Sequence, residues 1–93
     1  MQVKHHTTGE DGIFYIDEDG KRLGDMRYMI VNNNQMDIYH TEVEVDAEGK
    51  GLGKQLIDAG VIYAREKHYK IIPSCTFAKS VFTNNQDYKD VLA

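Results

Sequence analysis

Glu48-Gly49-Lys50-Gly51-Leu52-Gly53-Lys54 stands between two runs of different periodicity. Before it, Tyr39 to Val45 alternates like a strand; after it, apolar residues from Leu52 to about His68 recur at helical spacing. Glycines at alternate positions allow positive φ and let the backbone come close to a ligand. A helix that opens directly after such a loop turns its unbonded amide N–H groups and its positive dipole end back toward it. Strand, glycine turn and helix start together make a cradle for a phosphate.

Downstream, Leu52, Leu56, Ala59, Gly60 and Tyr63 fall on one helical stripe, with Ile57 and Ala64 beside it. Lys54, Asp58 and Arg65 lie opposite, where Ile62 intrudes. Gly60 in mid-helix costs about 1 kcal/mol relative to alanine, so its presence predicts a close contact with a sheet. Lys70-Ile71-Ile72-Pro73 then reads as a short strand. A strand-helix-strand unit is right-handed, which predicts Ile71–Ile72 parallel to Tyr39–Val45. Ser74-Cys75 leads into a second helix over Thr76 to Thr83, Asn84-Asn85-Gln86 breaks it, and Asp87 to Ala93 reads as a last turn.

Upstream, residues 2–7, Ile13 to Asp17, Arg22 to Val31 and Met36 to Val45 read as strands. The turn at Thr8 to Gly12, the Asp19-Gly20 pair and the Asn32-Asn33-Asn34-Gln35 run connect them, and Gly24 marks a bulge or close packing. The expected architecture is α+β: an antiparallel meander of three to four strands, a strand-helix-strand crossover and a short C-terminal helix. Residues 1–93 are expected to form one domain.

Composition narrows the function classes. Of the 93 residues, 41% are apolar and 28% charged, the balance of a folded domain rather than a disordered chain. The net charge of −4 argues against nucleic acid or an anionic membrane as partner, yet Lys50 and Lys54 beside the glycines leave room for local positive potential. No signal-peptide core or membrane span is expected, and a single cysteine, Cys75, makes the cytoplasm the expected compartment. No metal site is expected. The adjacent His5 and His6 would point to opposite faces of a strand and make a poor ligand pair.

Register excludes two familiar phosphate loops. A nucleotide P-loop ending at Gly53-Lys54 needs glycine where Glu48 stands, and Gln55 replaces the hydroxyl residue that follows. The dinucleotide pattern GxGxxG meets Lys54 or Leu56 where its third glycine belongs.

A third pattern fits. The run from Val43 to Gly53, with Glu48-Gly49-Lys50-Gly51-Leu52-Gly53 between strand and helix, resembles the [Gln/Arg]-x-x-Gly-x-[Gly/Ala] acetyl-CoA motif of the GNAT acetyltransferases, with Glu48 in place of the usual Gln or Arg. His40-Thr41-Glu42-Val43 and Ile72-Pro73-Ser74-Cys75-Thr76-Phe77 extend the likeness to the small single-domain GNAT-like proteins, over residues 24–90. The resemblance implies a truncated GNAT-like fold. It also implies an acetyl-CoA-dependent N-acetyltransferase acting on an amine, carried by a small molecule or a protein. The helices that longer relatives place between the first two strands have no room here. One sheet face is therefore expected to be bare, as a broad acceptor surface or a dimer contact, with a monomer or weak homodimer in solution.

On this resemblance Gly49, Lys50, Gly51, Gly53 and Lys54 would hold the pyrophosphate, and backbone groups near Val43 and Val45 would pair with the pantetheine arm. Cys75, past Pro73 at the start of a helix, sits where a dipole favours a thiolate that could contact or accept the acetyl group; the plain alternative is a buried structural cysteine. His40 and Glu42 share a strand face and are candidates to take the amine proton, His40 ahead because imidazole titrates nearer neutrality; the plain alternative is two exposed strand residues. Two other readings stand beside the enzyme: a non-catalytic CoA or acyl-CoA binding module, and a small protein-interaction domain.

Overall fold

A computed structural model describes residues 2–93. Four antiparallel strands follow one another, β1 (Lys4–Thr8), β2 (Asp11–Glu18), β3 (Lys21–Val31) and β4 (Gln35–Val43). After a 3-10 turn (Val45–Ala47), helix α1 (Leu52–Lys67) carries the chain back to β5 (Lys70–Pro73), which pairs parallel to β4. Helix α2 (Thr76–Thr83) and a 3-10 segment (Gln86–Val91) follow, and the strand order is β1-β2-β3-β4-β5. The turns form for local reasons: Asn32 and Asn33 take φ of 53° and 66° between β3 and β4, a conformation asparagine tolerates. Only Gly9 and Glu10 separate β1 from β2, so no helix is inserted there.

The core lies between α1 and one face of the sheet. Leu56, Ile57, Val61 and Ala64 are buried against Phe14, Ile16, Met26, Met36 and Ile38. Gly60 fulfils its expectation, since a Cβ there would lie 2.7 Å from Cε of Met26. The buried arc of the helix differs from the expected stripe: Val61 is fully buried while Ala59 and Tyr63 are half-buried. The cause is a second set of neighbours, because α1 also packs on α2 and the last 3-10 segment. The other sheet face carries exposed Lys4, His6, Arg27, Met29, Tyr39 and His40, and no helix of the described residues covers it. Adjacent histidines do face opposite ways: His5 stacks on Phe14 at 4.0 Å on the helix side.

Two bulges shape the sheet. Ile16 pairs with Gly24 and Asp17 with Arg22, so Leu23 is the extra residue in β3. Gly24 beside it also packs closely, its missing Cβ 3.1 Å from the Glu42 carbonyl oxygen. In β4, Tyr28 pairs with Ile38 and Arg27 with His40, leaving Tyr39 unmatched. A single extra residue exchanges the faces of everything beyond it. Met36 and Ile38 point to the core before the bulge; Thr41, opposite buried Met26, and Val43 take that side after it.

The strand pairing corrects one expectation. Ile71–Ile72 align with Met36–Asp37, not with the Tyr39–Val45 half of the strand. The amides of both Ser74 and Cys75 donate to the Ile38 carbonyl, at 3.0 and 3.1 Å, and end the pairing. Beyond that point β4 keeps β3 on one side and, among the described residues, has no strand on the other. β4 also ends at Val43, not Val45: the Val45 carbonyl accepts the Glu48 amide within the 3-10 turn, and its side chain is 78% exposed.

Candidate active site

The parted strands open a cleft of about 480 Å³. Its walls are Thr41 and Val43 of β4, the loop around Gly49 and Gly51, the start of α1, and Phe77 and Val81 of α2. The glycines divide the work. Gly49 and Gly51 have φ of 86° and 74°, and nothing occupies the space a Cβ would take there. Gly53 has another reason: a Cβ would stand 2.5 Å from the Phe77 ring, so the residue exists to let α2 approach α1.

Helix α1 begins without protection. Gly51 is its N-cap, no side chain caps it, and its first turn contains no acidic residue. The first helical bond runs from the Gln55 amide to the Gly51 carbonyl, so the amides of Leu52, Gly53 and Lys54 lack intrahelical acceptors. Such an end attracts an anion through oriented N–H groups and the dipole. Of the flanking charges, Lys54 borders the cleft but its ammonium lies 3.4 Å from Asp58, and Lys50 is exposed outside the lining. Glu48 is in the wall itself. The anion attraction therefore rests on backbone more than on lysines.

Cys75 is the N-cap of α2. Its Sγ accepts the Ala78 amide at 3.4 Å and lies 3.5 Å from Oγ1 of Thr41, and the side chain is half-buried as a free thiol. The structure thus joins Cys75 to Thr41, at the inner side of the split. His40 and Glu42 are brought together as well, with Nε2 3.2 Å from Oε1, but on the uncovered face. They do not meet Cys75.

Sequence reasoning missed Thr41, Phe77, Val81 and the Ser74 hydroxyl that donates to Oδ1 of Asp37. A trace of the bulge is present in the string itself. The core-side residues of β4 have even numbers up to Ile38 and odd numbers from Thr41, and only an extra residue between them reconciles the two.

The sheet parts beside an uncapped, glycine-led helix start. A family model of GCN5-related N-acetyl-transferases matches residues 13–91. A Staphylococcus aureus protein solved in solution by NMR and described as GCN5-like is 38% identical, with a TM-score of 0.77 over 99% of this chain and 87% of that one. The chain belongs to the GCN5-related N-acetyltransferase family, and its fold is a truncated version of that family's. More distant likenesses concern the fold alone. A ribosomal-protein-alanine N-acetyltransferase from Brucella melitensis is 20% identical (TM-score 0.65, 90% of this chain and 62% of that one). An aminoglycoside N-acetyltransferase solved with CoA is also 20% identical (TM-score 0.58, 80% and 65%). No curated protein matches the chain.

Proposed function

We propose that this acetyltransferase binds acetyl-CoA in the cleft and transfers its acetyl group to an amine that arrives from the uncovered face. The observation that carries the reading is the split itself. It leaves the β4 edge free beyond Ile38, with the unprotected start of α1 at the far end of the same cleft. The pyrophosphate would sit on the amides of Leu52, Gly53 and Lys54, with Gly49 and Gly51 keeping the approach clear. The pantetheine arm would lie along Thr41–Val43 like an added strand, and Val45, turned out of the strand, would take no part in that pairing. This brings the thioester to Thr41 and Cys75.

In the direct route the amine first loses a proton, to His40 or Glu42 or to water. Its nitrogen then bonds to the thioester carbon, the C–S bond breaks, and CoA leaves as the thiolate, which takes up a proton. A second route is favoured by one observation: Sγ of Cys75, which accepts the Ala78 amide, adjoins the hydroxyl of Thr41 in the cleft wall. In that route Cys75 takes the acetyl group as a thioester, CoA thiol is released, and the amine displaces Cys75.

Thermal unfolding with CoA tests the cleft. A ligand bound only to the native state raises the midpoint, by an amount equivalent to about 2.7 kcal/mol at a hundredfold excess over Kd. Gly51→Val, which forces a β-branched side chain into positive φ at the helix start, should abolish the shift. An unchanged midpoint for the parent protein would overturn the reading. Intact mass after mixing with acetyl-CoA alone separates the routes: a single added acetyl group that disappears in Cys75→Ser means transfer through the thiol.

A further inference from the structure

Ser74 and Cys75 clamp β4 on the two sides of its bulge. Cys75 meets Thr41 beyond Tyr39, on the cleft side. Ser74 meets Asp37 before it, on the uncovered side, where its hydroxyl donates to Oδ1. The Asp37 carboxylate therefore stands where β4 and β5 part, across the sheet from the cleft. That clamp fixes its orientation and leaves the rest of its acceptor capacity open.

Charge and surroundings describe what would fit there. Among the described residues no cationic side chain lies within 4.0 Å of the carboxylates of Asp11, Asp19, Asp37 or Asp87, and of these four only Asp37 is held by a side chain from another part of the chain. Its lateral neighbours on the same face are Met29 of β3 and Ile72 of β5, and Tyr39 follows two residues on. Met29 is 43% and Tyr39 47% exposed, so the carboxylate is rimmed by accessible apolar surface. An ammonium on an aliphatic stem matches both features; a hydroxylated amine matches only the charge.

We infer that Asp37, held by Ser74, is the residue that selects the acceptor, and that the acceptor is a primary alkylammonium such as a lysine side chain. This deepens the proposed function and rests on it. The amine docks as the cation at Asp37, gives up one proton to His40 on the same face or to water, and then passes through the gap between β4 and β5 to attack the thioester.

Initial rates of acetyl transfer from acetyl-CoA to n-pentylamine, Nα-acetyl-lysine methylamide and glucosamine test this. The two alkylamines should be used with at least about tenfold higher kcat/KM than glucosamine. Asp37→Asn should raise KM for n-pentylamine about tenfold or more, the scale of a lost hydrogen bond to a charged group, with KM for acetyl-CoA unchanged. Asp37→Glu should recover part of that loss, and Ser74→Ala should cost a few-fold in the same KM. No transfer to either alkylamine, preference for glucosamine, or an Asp37→Asn enzyme with unaltered amine KM would overturn the inference. The CoA-dependent rise in unfolding midpoint tells the two failures apart. If it persists in the parent and in Asp37→Asn, only the acceptor assignment falls; if the parent lacks it, the cleft reading falls first.

Discussion

Gly53 and Gly60 lie two turns apart on α1, and the same substitution should affect them differently. A Cβ at Gly53 would meet the rigid Phe77 ring at 2.5 Å, whereas at Gly60 it would meet the flexible tip of Met26 at 2.7 Å. Gly53→Ala should therefore destabilise by about 1–3 kcal/mol, the usual cost of overpacking, with part recovered by Phe77→Leu. For Gly60→Ala the helix-propensity gain of about 1 kcal/mol offsets the displaced methyl, so the urea midpoint should stay close to the parent's. Cys75 has two roles to separate. Cys75→Ala also removes an N-cap acceptor, worth about 1 kcal/mol, whereas Cys75→Ser keeps one. Only the serine variant reports on thiol chemistry without a stability change. His5 offers a pH test. Its Nε2 lies 2.6 Å from the Tyr28 hydroxyl and its ring packs on Phe14 and Tyr63. Burial first, and then the charge of His6, hold its pKa below the ordinary 6.5. The folded protein thus binds fewer protons than the unfolded chain, so the stabilisation is present above pH 6.5 and is lost as pH falls below it. His5→Gln should flatten that part of the midpoint-versus-pH curve; an unaltered curve would assign the dependence elsewhere.

Elements were legible wherever a local rule decides them. Asp19-Gly20 and Asn32-Asn33 announce their turns, and the 3.6-residue repeat after Gly51 announces α1. The extent of β4 was not legible. Tyr39 to Val45 reads as one strand, because the competition that ends its pairing comes from the amides of Ser74 and Cys75, more than thirty residues away. The face of His40 was hidden for a different reason, the bulge at Tyr39, since period two assumes an unbroken ladder. Likewise, the loop marked the cleft through Gly49 and Gly51, while Phe77 and Val81 entered it only through the docking of α2 against Gly53. Hydrogen exchange can read the proposed use of these elements. With CoA bound, protection should rise over residues 40–43 and at the amides of Leu52, Gly53 and Lys54. Protection confined to the loop, with residues 40–43 unaffected, would remove the added-strand pairing.

At the scale of the whole molecule, a sheet with helices on one side only offers two different faces. The cleft opens on the helix side, and Asp37, His40 and Glu42 stand on the bare one. No helix of the described residues is long and apolar enough to cross a membrane. The acetyltransferase class was readable from the glycine loop and the Pro73-Ser74-Cys75 segment, but the acceptor was not, because its determinants meet only in the folded sheet. Tyr39 shows how little chain this arrangement requires. An extra residue in a strand acts as a frameshift in space: downstream side chains are read from the other face although the letters are unchanged. Deleting Tyr39 should restore the frame, turning Thr41 and Val43 to solvent and His40 and Glu42 toward α1. The CoA-induced midpoint shift should vanish with it. If the shift survives the deletion, the cleft does not depend on the frame. If it is lost, one codon's worth of chain decides which side of the sheet meets the donor.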